Sequence, residues 1–211
     1  MHVEIPRRAQ IIRVIACDLA RILSHLMAAG AMGMYVGELT VFVWTIRERE
    51  KLYDIYDILT GARFTVSYMR IGGMAQDITT ECITMIKSFL DGLSEATREI
   101  AAMLHKNRIF IERCEGIGIM PPDEAIDVGW TGPCLRASGI PYDLRRDQPY
   151  LIYPELDFKV ITRTECDALA RYFVRFDEVA ESVKIIRQCL DKLQPGPIFA
   201  EDSKVVLPRK G

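Results

Sequence analysis

Apolar residues recur every three or four positions from Ile11 to Met27. This spacing predicts an amphipathic helix, with the charged residues of the segment, Asp18 among them, assigned mostly to its polar face. Pro6 stands where a proline is tolerated in a first helical turn. The pattern is expected to loosen or end at the glycines that follow, Gly30, Gly33 and Gly37.

A second helix is predicted from Leu39 to Leu59, with Thr60-Gly61 providing a glycine C-terminus. Its middle carries the charged run Arg47-Glu48-Arg49-Glu50-Lys51. Such a run is typical of a solvated helix face, and a subunit interface is the alternative. We interpret it as a solvated face.

Two more long helices are predicted in the second half of the chain. One runs from a cap at Asp77 to about Asn107, and the other ends before the sequence Gln194-Pro195-Gly196-Pro197. Thr164 and Asp167 resemble a capping box at the start of the latter helix, with aspartate in place of glutamate. Helices of this length usually pack as a bundle.

Irregular segments separate these helices. Residues 62–76 show no persistent apolar periodicity, which predicts an irregular loop. The loop contains Arg63 and Arg70, and it is expected to bring these cations close to a turn at Gly72-Gly73, where the backbone is exposed.

A Gly- and Pro-rich insert covers residues 114–164. It is expected to hold one short helix after Pro122 and a possible strand at 156–161. An aperiodic tail covers 198–211. The fold class is therefore mainly α, with one helical core domain over residues 1–211.

Composition narrows the class of protein. The 211 residues are 49% apolar and 27% charged, with a formal net charge of -2, which is ordinary for a folded chain and lacks the cationic excess of a nucleic-acid binder. The longest uncharged run, Ile22 to Gly37, has 16 residues. That is short of the roughly 20 needed to cross a bilayer.

Cysteine and histidine usage argues against a metal site. The six cysteines form no C-x-x-C pair, which excludes a local zinc or cluster motif. A disulfide framework is not expected either, because such frameworks concentrate cysteine in short secreted chains, and a reducing compartment is therefore the interpretation. Three histidines without a second ligand at helical spacing make a metal enzyme a weak hypothesis. We interpret His25 as a packed helix residue and His105 as a C-terminal helix-dipole partner.

Catalytic motifs are also missing. The chain has no G-x-S-x-G or P-loop, and Gly116-Ile117-Gly118 lacks the third glycine of a dinucleotide fingerprint. The arginines Arg136 and Arg145-Arg146, with those of the 62–76 loop, either line an electropositive pocket or lie separately on the surface. Composition alone does not choose between these two hypotheses.

An ordered series of short strings carries a family resemblance. The chain closely resembles the 49-kDa (NuoD-type) subunit of respiratory complex I over nearly its whole length. The matching strings are Pro6-Arg7-Arg8-Ala9-Gln10, Arg47-Glu48-Arg49-Glu50-Lys51, Thr60-Gly61-Ala62-Arg63, Arg70-Ile71-Gly72-Gly73, Gly129-Trp130-Thr131-Gly132, Leu135-Arg136-Ala137-Ser138-Gly139, Gln148-Pro149-Tyr150 and Pro195-Gly196-Pro197.

This resemblance implies a fold and a role. The fold would be the helical core of the nickel-iron hydrogenase large-subunit type. The role would be that of a core subunit of NADH:quinone oxidoreductase, forming part of the wall between the terminal iron-sulfur cluster and the quinone cavity. The chain alone would hold no cofactor and would not be catalytic. Ubiquinone would bind in the shared cavity, and the cluster would belong to the neighbouring subunit.

Four site residues follow from the same resemblance. Tyr35 stands where the family has a quinone-site aspartate, and Thr65 where it commonly has a histidine beside the cluster. Arg63 and Arg70 match the family, and they are expected to lie near the cluster and stabilise negative charge.

The expected partners are other complex I subunits, especially the iron-sulfur subunit that carries the terminal cluster and the membrane subunit at the quinone entrance. Nucleic acid is not expected. Separate chains are expected to supply the family's N-terminal and C-terminal parts, leaving the apolar stripes at Ile11–Met27 and Leu169–Leu190 partly uncovered. The expected location is the matrix side of the mitochondrial inner membrane, and the alternative is the cytoplasmic face of a bacterial plasma membrane.

Two other functions are kept as alternatives. Loss of the aspartate and the histidine at Tyr35 and Thr65 would suit a degenerate scaffold subunit that retains only its packing surfaces. An energy-converting hydrogenase large subunit belongs to the same superfamily, but the Arg47–Lys51 and Gln148–Tyr150 strings favour complex I.

Overall fold

The computed structural model describes residues 3–200, and the end of the predicted tail, 201–211, lies outside them. The first half of the chain contains α1 (Arg7–Tyr35), α2 (Leu39–Thr60), β1 (Met69–Arg70), β2 (Gly73–Met74) and α3 (Thr80–Leu104). The second half contains α4 (Arg108–Cys114), α5 (Pro122–Asp127), α6 (Gly132–Ala137), α7 (Leu144–Asp147), a 3₁₀ turn (Tyr153–Glu155) and α8 (Ala168–Lys192). The mainly α class is confirmed.

The four long helices share one connected apolar core. α1 packs along both α8 and α2, and α3 packs against α2. The stripe of α1 is almost fully buried, and Ile185 and Ile186 of α8 are buried with it. The expectation of a partly uncovered stripe is therefore wrong for α1, which α2 and α8 cover. It is confirmed for α8, where Tyr172 and Ile186 of the predicted stripe are buried but the other members are partly or fully exposed.

Glycines bring α1 and α2 together. α1 continues through Gly30 and Gly33 instead of ending there, and Gly37, at a φ of 101°, forms the turn between the helices. A Cβ on Gly30 would lie 2.1 Å from Thr45 Oγ1, so only glycine permits this approach. Further along the pair, the Tyr56 hydroxyl donates to the Ala16 carbonyl at 2.9 Å.

Helix ends agree with the sequence in part. Gly61 ends α2 in the left-handed conformation, as predicted. The cap of α3 is Thr79, which accepts from the Cys82 N–H, and not Asp77, which pairs with Arg8. At α8 the predicted capping box is wrong, because Asp167 is itself the N-cap and accepts from the Ala170 N–H.

The insert is more helical than predicted. The short helix after Pro122 is confirmed, and α6 and α7 were not predicted. No strand forms at 156–161. The reason is that side chains of α8 take the hydrogen bonds a neighbouring strand would provide: Gln188 accepts from the Asp157 N–H and Glu181 from the Lys159 N–H.

The loop between α2 and α3 holds a small hairpin that the sequence did not reveal. β1 and β2 pair antiparallel, with Arg70 opposite Gly73. Gly73 also bridges to Phe199 at the described end of the chain, and the Met74 N–H donates to the Ile198 carbonyl. Part of the predicted aperiodic tail is therefore anchored.

Among the helices of residues 3–200, none has both the length and the apolar character that crossing a membrane requires.

Replacing Gly30 with alanine should lower the free energy of unfolding by about 1–3 kcal/mol, because the new methyl group forces α1 and α2 apart. Gly92, which lies in α3 with open space at its Cβ, is the matched control. There alanine should raise stability by about 0.5–1 kcal/mol through helix propensity alone. Urea unfolding of both variants measures the difference, and equal effects would contradict the close-approach role of Gly30.

Candidate functional site

The first of the four predicted site residues, Tyr35, ends α1 beside the turn into α2. It is 82% exposed, and its hydroxyl has no hydrogen-bond partner among the described residues. Its neighbours Met34, Leu39 and Val43 are also exposed. This end of the hairpin therefore exposes a phenol and, on nearby positions of α1 and α2, three apolar side chains, while Arg113 donates to the adjacent Val36 carbonyl at 2.8 Å.

Arg63 lies on a loop that folds back along α2. Its guanidinium pairs with Asp54 and with Glu50, the latter at 2.6 Å, and lies 5.8 Å from the centre of the Tyr53 ring. The hydrogen bond to Asp54 and the surrounding carboxylates raise the pKa of Arg63. Arg63 is thus permanently charged but locally neutralised.

Thr65 adopts the left-handed conformation, with a φ of 55°. A β-branched residue rarely does so. Its hydroxyl donates to the carbonyl of Phe64 at 2.7 Å, and the Phe64 side chain is 70% exposed. The strained residue therefore lies on the surface beside an exposed aromatic ring.

Arg70 lies on β1, and its side chain is exposed without an ion pair in the described part of the chain. Its backbone is held by α1, because the Arg13 guanidinium donates to the carbonyls of Arg70 at 2.6 Å and Gly73 at 2.9 Å. Unlike Arg63, this residue offers a free positive charge.

These four residues lie at different levels of the α1–α2 pair. Tyr35 is at the turn, whereas Arg63 reaches Glu50, which is about 16 Å further along α2 at 1.5 Å per residue. Arg70 lies near the level of Arg13, towards the start of α1. The structure thus arranges them along one helical hairpin and not as a single touching cluster.

The most tightly built polar site was missed by the reading of the sequence. Asp18 of α1 is fully buried and accepts from the Tyr153 hydroxyl at 2.8 Å and the Ser182 hydroxyl at 3.1 Å. Arg145 of α7 lies 3.4 Å away and Arg21 3.5 Å. Burial raises the pKa of Asp18 despite these cations.

A second buried carboxylate lies on α8. Glu178 accepts from His25 at 2.7 Å and from Arg136 of α6 at 2.7 Å. Burial opposes ionisation of Glu178, but these two partners outweigh it and lower its pKa. His25 is buried as well, and burial lowers its pKa. The interpretation of His25 as a packed helix residue is therefore confirmed.

Asp143 joins the two sites. It receives a bidentate ion pair from Arg145, with a shortest distance of 2.7 Å, and lies 4.0 Å from Arg136. Of the two hypotheses left open for the arginines, an electropositive pocket or separate surface positions, neither holds for Arg136 and Arg145. Arg136 and Arg145 are buried in ion pairs, and Arg146 donates to the Phe158 carbonyl and covers its ring.

The resulting buried cluster is electrically balanced. Its carboxylates are Asp18, Asp143 and Glu178, and its guanidiniums are Arg21, Arg136 and Arg145. The three carboxylates are thus matched in number by three guanidiniums, of which Arg21 is partly exposed. One signal for it was present in the sequence, because Asp18 lies three residues after Ile15 and four before Ile22, within the apolar stripe.

Two other sequence interpretations are corrected. Glu48 and Arg49 are buried, so the charged run of α2 is not a wholly solvated face. The Glu48 carboxylate accepts from Arg47 and Lys51. The Arg49 guanidinium donates to the Tyr53 hydroxyl.

His105 does cap the C-terminus of α3, but it does not act as a cationic dipole partner. Burial lowers its pKa, and its ring packs edge-on against Tyr172, Phe173 and Phe176. It is a neutral member of an aromatic cluster.

No group of three or more histidine, cysteine or carboxylate side chains within residues 3–200 is arranged to hold a metal ion. Fold and site together define the class of protein. It is a mainly helical chain with a cluster of ion pairs buried in its core, and its candidate site residues are exposed along one helical hairpin.

Comparison with known proteins identifies the family. The family model described as "Respiratory-chain NADH dehydrogenase, 49 Kd subunit" matches residues 35–211, and the chain belongs to this family. It is 51% identical to a D-type subunit of NADH-quinone oxidoreductase from Chloroherpeton thalassium, over 99% of this chain and 48% of the relative. It is 49% identical to the D-type subunit of NADH-quinone oxidoreductase from Salinibacter ruber, over 99% of this chain and 46% of the relative.

A third relative, the corresponding NADH-quinone oxidoreductase subunit of Rhodococcus jostii, is 44% identical over 97% of this chain and 47% of its own length. The chain thus spans about half the length of the curated relatives it matches. The family resemblance read from the sequence strings is confirmed.

Stability should fall as the pH drops below about 6.5, the ordinary pKa of histidine. The unfolded chain then binds a proton at position 25 that the folded chain excludes. Burial lowers the pKa of His25 more than the hydrogen bond to Glu178 raises it, and the charges of Arg21 and Arg175 lower it further. Glu178 and Asp143, whose pKa values are lowered, contribute a separate loss only at more acidic pH.

His25→Gln should therefore flatten the pH dependence of unfolding between pH 7 and 5, where one proton accounts for at most about 1.4 kcal/mol per pH unit. Urea unfolding at several pH values measures the slope. His105→Gln, at a less buried histidine, is the control and should change it less. An unaltered slope in the His25 variant would show that the neutral His25–Glu178 pair is not responsible.

Proposed function

We propose that this chain is a core subunit of the peripheral arm of NADH:quinone oxidoreductase, and that its α1–α2 turn forms part of the wall of the quinone cavity. The observation that carries the proposal is the exposed Tyr35 with its apolar neighbours, held on a rigidly packed hairpin in a chain of this family. We further propose that the helical core has the arrangement of the nickel-iron hydrogenase large subunit.

The residues around the turn fit a quinone. The free Tyr35 hydroxyl is able to donate a hydrogen bond to a carbonyl oxygen, and Met34, Leu39 and Val43 offer apolar surface to a ring or isoprenoid tail. A bound quinone supplies the capacity to accept two electrons and two protons. Tyr35 orients such a ligand by donating a hydrogen bond, whereas the carboxylate that the family has at this position accepts one.

The other end of the hairpin suits a neighbour that gains negative charge. Arg70, exposed and without an ion pair in the described residues, is the cation best placed to stabilise a reduced cluster on an adjoining subunit. Arg63 contributes less, since Glu50 and Asp54 already neutralise it. Thr65 beside it provides a hydroxyl but no titratable group.

Partners and location follow from the same proposal. The neighbours are the iron-sulfur subunit at the Arg70 end and the membrane subunit at the Tyr35 end. The named relatives come from bacteria, which favours the cytoplasmic face of a plasma membrane over the mitochondrial location expected from the sequence.

A scaffold without quinone chemistry is the second candidate function. It is favoured by one observation: the two positions at which the sequence departs from the family, Tyr35 and Thr65, are both exposed and make no contact on which the core depends. Activity of the assembled complex separates the two candidates.

Tyr35→Phe in the assembled complex should lower kcat/KM for quinone about tenfold, which corresponds to about 1.4 kcal/mol for one lost hydrogen bond. NADH oxidation by a soluble acceptor that bypasses the quinone should not change. Tyr142→Phe, a partly exposed tyrosine on the insert, is the control. Full quinone activity in the Tyr35 variant would favour the scaffold.

The midpoint potential of the neighbouring cluster should be nearly independent of pH in the natural complex, because Thr65 does not titrate. Thr65→His should introduce a slope approaching roughly 60 mV per pH unit, one proton per electron. Histidine also tolerates the left-handed backbone better than threonine. Redox titration at several pH values is the measurement, with Ser67→His on the same loop as control; a steep slope before substitution would contradict the proposed role.

A further inference from the structure

The insert carries an exposed apolar surface that the proposed quinone and cluster contacts do not use. Four branched aliphatic side chains compose it and are 55–62% exposed: Ile117, Ile119, Ile126 and Val128. We call these residues the insert surface. Isolated exposed aliphatic residues are common, but a group of four on neighbouring segments is typical of an interaction site.

Arg171 of α8 shows that the two segments of the insert surface adjoin. Its guanidinium donates to the Gly118 carbonyl at 3.0 Å and lies 5.4 Å from the centre of the Trp130 ring. Gly118 lies between the first two aliphatic residues, and Trp130 follows the last two closely. One side chain therefore fixes both segments.

The insert surface is preorganised. The Gly116 N–H donates to the Asp167 carboxylate, the Ala168 N–H to the Ile117 carbonyl, and the Met120 N–H to the Cys166 carbonyl, all at 2.8–3.0 Å. These bonds tie the segment to the start of α8. A surface held in this way loses little conformational entropy on binding.

Four carboxylates, here called the acidic rim, flank the aliphatic residues along the chain, with no cation among them. Residues 115–130 contain Glu115, Asp123, Glu124 and Asp127 and no lysine or arginine. None of the four makes an ion pair within residues 3–200. The positive charge of the nearby Arg171 is offset by the negative charge of Asp167, which binds the same segment. The rim is therefore strongly negative.

Stability of the chain itself does not account for this rim. Asp123 and Glu124 lie in the first turn of α5, where negative charge is favourable, but Asp127 ends α5 and Glu115 is the C-cap of α4. Carboxylates at helix C-termini are disfavoured by the helix dipole. These two charges are better explained by a partner than by the fold.

We infer that the insert surface binds another subunit of the same complex through a patch with an aliphatic centre and a rim of lysine and arginine. A second copy of this chain is disfavoured, because a symmetric contact would place the four carboxylates against the same four. An anionic lipid surface is disfavoured by the same repulsion. The inference rests on the proposed function in one respect, that the partner belongs to the complex.

The test replaces Ile126 with the photo-cross-linking residue benzoylphenylalanine in a tagged chain that is purified together with its complex. The same residue at Lys87, on the exposed face of α3, is the control. Irradiation at Ile126 should join the chain to one subunit, within a peptide that has more lysine and arginine than acidic residues. The yield should fall as salt rises.

The charge test combines Glu115→Lys with Asp127→Lys and should reduce that cross-link about tenfold or more. Asp191→Lys, at an exposed carboxylate near the far end of α8, should leave it unchanged. A circular-dichroism melt shows whether each variant folds. If the double variant does not, Ile119→Ser and Val128→Ser, each combined with the cross-linker at Ile126, must give the same loss.

Several results would overturn the inference: cross-links to a second copy, to lipid or to an acidic peptide, or no cross-link in an intact complex. Failure of the tagged chain to co-purify with any complex subunit would reject the proposed function as well. Presence in the complex without a cross-link at Ile126 would reject this inference alone.

Discussion

Burial of five charged side chains between α1, α6, α7 and α8 is the constraint on which the rest of the structure depends; they are Asp18, Asp143, Glu178, Arg136 and Arg145. Removing a carboxylate or a guanidinium from water costs several kcal/mol unless partners replace the solvent. Here each buried carboxylate meets at least one arginine, and Asp18 also receives two hydroxyl hydrogen bonds. These four helices are therefore held in one relative position, because a shift of any of them would leave a buried charge without its partner.

This cluster also explains how an insert with few regular elements becomes ordered. Arg136 and Arg145 come from helices of six and four residues, which are too short to be stable alone. Their guanidiniums reach Glu178 and Asp18 on the two long helices that pack together. The ion pairs thus anchor the insert to the bundle, and they place its outer surface, including Ile126, at a defined position.

The exposed chemistry has the opposite character. Tyr35, Thr65 and Arg70 are exposed on the α1–α2 hairpin and its following loop, outside the packed core. Relatives about twice as long carry the NADH-quinone oxidoreductase name. The proposed role as a wall shared with neighbouring subunits is supported by this exposure of functional groups on a packed hairpin.

The sequence by itself determined the four long helices, the glycine end of α2 and the family. Apolar periodicity is a local property, and ordered strings such as Gln148-Pro149-Tyr150 are readable without coordinates. Only the tertiary structure decided which charges are inside. Asp18 looked like a polar-face residue until α7 and α8 supplied Arg145 and Ser182, partners 127 and 164 residues away along the chain. The absence of a strand at 156–161 was likewise not predictable from the local sequence. Its backbone N–H groups bond to Gln188 and Glu181 of α8, and a hydrogen-bond partner on a distant helix leaves no periodic pattern near the bonded residue.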